Sequence, residues 1–232
     1  MVINKNFIFV HIPKTGGTSC TDYLCQTLQP PIFCFSIKSM HADHHFNARL
    51  LSGYSHETLE EIYADSERLK QETGISVTGI NNILAVIRHP YDLELSNYSF
   101  FRNGRSNVLK GKAFQVPHIL EKVELAQGPF RDFVEYSGYF RDDKAGRGYR
   151  TEDYFLIDGK IPENVTLLKF EELDRKFPVA TQAFRVNENI AFPHSNKSAP
   201  FKKFTAGELD ENTKDAICAK HKWLFDEGYY ER

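Results

Sequence analysis

The stretch that most constrains this chain is residues 7–19, FIFVHIPKTGGTS. Residues 7–12 are a nearly continuous apolar run rich in β-forming side chains, the pattern of a central strand buried on both faces. The run leads straight into Lys14, Thr15, Gly16, Gly17, Thr18 and Ser19, and a helical pattern follows to about Leu28. Strand, glycine turn and helix, with a lysine and hydroxyls at the turn, make a cradle for a phosphate-like anion. Gly16 and Gly17 permit positive φ and close backbone approach. The helix N-terminus offers N–H groups and the positive end of its dipole. Lys14 can reach a bridging oxygen, and Thr18 and Ser19 can donate to terminal ones. The competing structural reading is a tight strand–helix turn with a solvated lysine and a hydroxyl cap.

The order of residues at the turn narrows the chemistry. A nucleoside triphosphatase loop reads GxxxxGK[ST], with lysine after the glycines. Here Lys14 precedes Gly16 and Gly17, which fits an ordinary nucleotide kinase or GTPase poorly.

Strand-then-helix patterns recur along the chain. Residues 82–87 (NILAVI) read as a second strong strand, ended by His89-Pro90, with a helix over 91–102. Proline removes a ladder donor and restricts the residue before it. Residues 165–170 (VTLLKF) read as a third strand, with a helix over 171–184; residues 48–52 (ARLLS) are a weaker strand, ended by Gly53. Residues 56–71 read as a surface helix, 130–136 as a short one and 207–225 as a C-terminal one, after a loop over 190–203. Part of 103–128 is expected to be a surface excursion that shapes a ligand site. These alternations predict an α/β, P-loop-like three-layer fold, a central parallel sheet flanked by helices.

At 232 residues the chain is expected to be one domain, 1–232. Its net charge of −2 argues against a protein that coats nucleic acid. Cys20, Cys25, Cys34 and Cys218 show neither a CxxC pair nor metal-ligand spacing. No metal is called for, and the cysteines read as buried reduced thiols. The first apolar run ends in a turn at Lys14, unlike a signal peptide, and no run approaches the ~20 residues of a membrane span. The sequons at Asn97, Asn164 and Asn196 are read as chance matches. The expected location is cytoplasmic.

HIPKTGGTS resembles the 5′-phosphosulfate loop of sulfotransferases that use 3′-phosphoadenylyl sulfate (PAPS), and is more similar to the carbohydrate branch, uronyl 2-O type included, than to the phenol and steroid branch. The resemblance implies that Lys14 contacts the 5′-phosphosulfate and its bridging oxygen. Residues 87–92 (IRHPYD), with Ser96 further on, resemble the family's 3′-phosphate motif. Arg88 would end a parallel strand, where such sheets bind ligands, and its guanidinium fork suits a phosphate dianion. The sequence departs from that motif at His89, where Asn or Asp is usual, and at Leu93, where a second arginine is usual. Residues 194–204 (HSNKSAPFKKF) resemble the late loop that closes over the cofactor, which adds Asn196 and Ser198 as cofactor-binding candidates.

An alcohol acceptor needs a base near neutral pH, which suits histidine. Residues 56–62 (HETLEEI) resemble a family segment whose histidine is the base in the uronyl enzymes, so His56, expected to open a helix, is the first candidate. His45, in the cluster His41, His44 and His45, is the reserve; the cluster reads as a polar loop, not a metal site. His11, on the first strand, is given a structural or orienting role. Together these features predict an O-sulfotransferase that moves a sulfuryl group from PAPS to a hydroxyl, most readily a carbohydrate's, with PAP as product and no metal. Two rivals stand beside it: a nucleotide kinase on the related architecture, and a non-catalytic nucleotide-binding protein of the same fold.

Overall fold

A computed structural model of the chain describes residues 1–35, 48–109, 117–142, 146, 148–193 and 209–232. Its strands are β1 (Val2–Asn4), β2 (Phe7–Val10), β3 (Ile32–Phe35), β4 (Ala48–Leu51), β5 (Ile83–Ile87) and β6 (Val165–Lys169). Its helices are α1 (Gly17–Thr27), α2 (Leu59–Ala64), α3 (Ser66–Thr73), α4 (Pro90–Leu109), α5 (Pro117–Leu125), α6 (Phe130–Tyr136), α7 (Leu173–Ala180), α8 (Glu211–Lys220) and α9 (Lys222–Asp226). The chain divides into two compact units, residues 1–88 with 151–197 and residues 89–150 with 198–232.

All described strands belong to the first unit and form one sheet in the order β4-β3-β1-β2-β5-β6. β2 pairs parallel with β5, β5 with β6, and β3 with β4. β1 is antiparallel to both neighbours, β2 and β3. The two reversals cancel, so β1 alone runs against the other strands. The α/β class with a mostly parallel central sheet flanked by helices is as predicted. The strands missed by sequence are β1, at three residues too short for a periodic signal, and β3, a fully buried four-residue apolar run. β1 is held by a tight hairpin to β2, in which the Asn4 side chain accepts from the Asn6 amide at 3.2 Å.

Burial explains the order. Every residue of β2 and β5 is buried, as continuous apolar strands require. β4 and β6, partly exposed, take the edges. Phe7, Phe9, Leu84 and Val86 share a face with period two and meet Cys20, Tyr23 and Leu24 of α1 and Leu173 and Phe177 of α7 in one apolar cluster. The α1 residues recur at i, i+3 and i+4, a helix stripe. Phe177 meets Phe9 edge to face at 5.6 Å.

The helix expected over 56–71 is corrected. Thr58 and Glu61 form a capping box, each side chain bonding the other's backbone N–H, so α2 begins at Leu59. His56 therefore lies in the connection after β4 and does not open the helix. Asp65 then separates α2 from α3 and pairs with Arg68.

In the second unit, residues 103–109 continue α4 and 117–125 form α5, so these parts of the expected excursion are helical; 110–116 lie outside the described residues. Phe101 of α4 packs with Val123, Ala126 and Phe133. The predicted C-terminal helix is divided at His221, and the division has a partner. Glu94 of α4 is buried, accepts from His221 Nε2 at 2.7 Å and from Lys220 Nζ at 3.1 Å. Burial alone would push the Glu94 carboxyl up; the Lys220 ammonium and the His221 ring outweigh it and hold it at about 2. A carboxyl held below its unfolded value stabilises above about pH 4.5 and loses that stabilisation as pH falls toward 2, an amount on the order of 3 kcal/mol. Glu94→Gln is expected to cost about 3 kcal/mol at pH 7 and roughly half that near pH 3, read from urea midpoints at both pH values. An equal cost at both would show that the Glu94 charge is not the stabilising element.

Candidate active site

Because β2, β4, β5 and β6 run the same way, the residues that follow them leave the sheet at one edge. That edge of the first unit carries 11–16, 52–58, Arg88 and Phe170. Open α/β sheets bind ligands outside this carboxyl edge.

The turn after β2 is built as an anion seat. Lys14 is left-handed at φ 63, an unusual conformation for a lysine. Thr15 is buried and its hydroxyl donates to the Ile12 carbonyl at 2.9 Å, which closes the turn. Gly16, left-handed at φ 83, is the N-cap of α1 and has no side chain with which to cap the first helical amides. A Cβ on Gly16 would lie 2.9 Å from Phe170 and Leu173. Gly17, Thr18 and Ser19 form the first turn of α1.

Arg88 follows β5 and returns to the same turn. Its Nη1 donates to the Lys14 carbonyl at 3.1 Å, and its guanidinium carbon lies 4.2 Å from the centre of the Phe170 ring. Two cations are thus held together. Burial, and then the Arg88 charge, pull the Lys14 ammonium down from 10.5 to about 8. Desolvated neighbouring cations at a helix N-terminus are the environment that an anion relieves.

The histidines complete this edge. His56 Nδ1 lies 2.8 Å from the His11 carbonyl oxygen. A carbonyl only accepts, so Nδ1 carries a proton at this contact and Nε2 is the ring nitrogen left for other chemistry when the imidazole is neutral. The two imidazoles meet edge to face with centroids 4.4 Å apart. His11 in turn covers Gly17: a Cβ there would lie 1.8 Å from His11 Cδ2. The connection bearing His56 is braced by Glu57, whose Oε1 accepts from the Tyr54 amide at 2.9 Å, and the Tyr54 ring lies 5.4 Å from that of His56.

The first unit therefore brings together Lys14, Thr15, Gly16, Gly17, Thr18, Ser19, Arg88 and His56. Ser96 lies on α4 of the second unit, half-buried. Asn196, Ser198 and His45 lie outside the described residues, as do His41 and His44. Sequence reasoning missed Phe170 as a site residue and gave His11 only a general orienting role. Phe170 ends an apolar strand pattern and carries no local sign of its neighbour Arg88. His89, read as a departure from the phosphate motif, packs in the second unit among Tyr91, Phe225 and Tyr230. Among the described residues there is no cluster of three or more potential metal ligands and no helix long and apolar enough to cross a membrane.

A parallel-edge α/β site with an anion turn, a second cation and an adjacent imidazole is suited to binding an anionic group. The sulfotransferase family profile matches residues 3–222, and the chain belongs to the sulfotransferase family. No curated protein and no solved structure matches it.

Proposed function

We propose that this chain is a PAPS-dependent O-sulfotransferase whose acceptor is a carbohydrate hydroxyl, on the pattern of the uronyl 2-O branch. The observation that carries the reading is the contact chain Gly17–His11–His56, which sets an imidazole beside the anion turn. In this reading the Gly16–Ser19 turn, the Thr15 amide and Lys14 hold the 5′-phosphosulfate. Arg88, with Ser96, Asn196 and Ser198, holds the 3′-phosphate and the nucleotide. His56 Nε2 accepts the proton of the acceptor hydroxyl as its oxygen bonds to sulfur. The bond from sulfur to the bridging oxygen breaks in line, and PAP departs with that oxygen. Lys14 neutralises the charge that develops there. No metal is needed, because the sulfuryl group carries less charge than a phosphoryl group and the leaving group is already a phosphate ester. A cytoplasmic location belongs to the same proposal; the four cysteines are free and buried, with Cys25 and Cys34 Sγ atoms 3.4 Å apart.

Thermal shift and calorimetric titration with PAP, PAPS, ATP and ADP test the reading. PAP is expected to stabilise the protein where ATP does not, and His56→Ala is expected to bind PAP while losing turnover. Stabilisation by ATP alone would move the chain to the kinase reading. Binding of PAP with no sulfation across a broad acceptor panel would favour the non-catalytic one.

A further inference from the structure

We infer that Phe170 is a positioning residue for Arg88, and that through Arg88 it sets how strongly the site distinguishes a donor bearing a 3′-phosphate from one without. The inference rests on the reading of Arg88 as a 3′-phosphate ligand. It arises from three contacts that converge on one side chain. Phe170 opens a single helical turn directly after β6, so it stands at the same sheet edge as the anion turn. Its ring lies under the Arg88 guanidinium at 4.2 Å. Its ring edge packs against Gly16, where a Cβ would come within 2.9 Å of Phe170 Cε2.

A guanidinium against an aromatic face keeps its in-plane N–H groups for hydrogen bonds while losing its freedom to swing. One of those groups is fixed on the Lys14 carbonyl at 3.1 Å. Ring face and carbonyl both restrain the plane and direction of the fork, and an aliphatic side chain at position 170 would remove the first of these restraints. The same ring bears on the Gly16 turn, so it ties the spacing of the two anion sites to one rigid group. Arg88 beside Lys14 is also one cause of the low proton affinity of that lysine. A guanidinium released from the ring would relax that effect.

Calorimetry on the full chain with PAP and with adenosine 5′-phosphosulfate, which has the same adenine but no 3′-phosphate, reads the role directly. Phe170→Leu preserves the apolar contact with Gly16 and removes the π face. It is expected to weaken PAP about tenfold and adenosine 5′-phosphosulfate by less than about threefold. Phe170→Tyr, which keeps the ring, is expected to restore PAP binding to near the wild-type level. In an Arg88→Ala background, Phe170→Leu should add nothing further. The pH above which PAP affinity declines, expected near 8 in the wild type, should move upward in Phe170→Leu.

Equal weakening of both ligands, or additive effects of the two substitutions, would overturn the positioning role and leave Phe170 a packing residue or a contact of the base. Unchanged PAP binding in Phe170→Leu would overturn it too, with the donor reading intact. Failure of the wild type to bind PAP would remove the donor reading itself, and this inference with it.

Discussion

Lys14→Gly is expected to lower turnover by roughly 10²–10³-fold, the scale of removing one preorganised charge partner from a transition state, and at the same time to make the ligand-free protein more stable. The two effects have separate causes. Turnover falls because no other described side chain stands in the anion turn with a mobile ammonium for the bridging oxygen. Stability rises because glycine accepts the left-handed backbone that lysine adopts at φ 63, worth about 1 kcal/mol. Removal of a desolvated cation beside Arg88 adds to the gain. For a chain of this size that is ~2–4 °C in melting temperature. Steady-state kinetics with saturating acceptor and a melting scan without ligand check the pair. Turnover within threefold of wild type would remove Lys14 from the chemistry. A fall in melting temperature would show that the lysine stabilises the turn it occupies. The ammonium is held at about 8, so its charged form predominates below that pH, and anion affinity is expected to decline above it.

Gly17→Ala should be nearly as damaging to activity, although alanine is the better helix former by about 1 kcal/mol. The new methyl would lie 1.8 Å from His11 Cδ2 and 2.0 Å from His11 Nε2, distances no side chain tolerates. The His11 ring must move, and His56 rests against it edge to face at 4.4 Å. A displacement of this kind at a proton acceptor costs about 10²-fold in kcat/KM. The expected signature is a large fall in kcat/KM, with the circular dichroism spectrum and melting temperature little changed. Activity within a few-fold of wild type would mean that His11 does not carry His56, and the base would have to be sought elsewhere.

What the sequence disclosed, and what it withheld, follows the range of the interactions. β2, β5 and β6 were legible because central parallel strands are apolar on both faces and announce themselves as short runs. The anion turn was legible because its residues are consecutive. Arg88 was legible through its place at a strand end, as was His56 through its resemblance to a family segment. The capping box at Thr58 and Glu61 was present in the letters, yet the pattern beginning at His56 was read as a helix start one turn too early. β1 was invisible because a three-residue strand has no period to detect. Phe170 beneath Arg88, and His11 above Gly17, could not be read at all. Each depends on which strands become neighbours in the sheet, and that is decided by pairings between distant segments. Thr15 illustrates the same limit on a smaller scale: the sequence places it in the anion turn, and its hydroxyl closes that turn by bonding the Ile12 carbonyl.

The lone reversed strand has a consequence for how the enzyme is assembled. β1 and β2 are joined by a tight turn, so their pairing closes a very short loop and can form within microseconds. On its other side, β2 must wait for β5, which is distant in the chain, and β5 in turn for β6. Pairings across such separations are the slow events of folding. The lysine turn therefore begins life on a half-supported strand. It meets its arginine only when β5 docks, and the ring beneath that arginine only when β6 follows. The anion site of this chain thus depends on the most sequence-distant pairings of its sheet, β2 with β5 and β5 with β6, and not on the local hairpin.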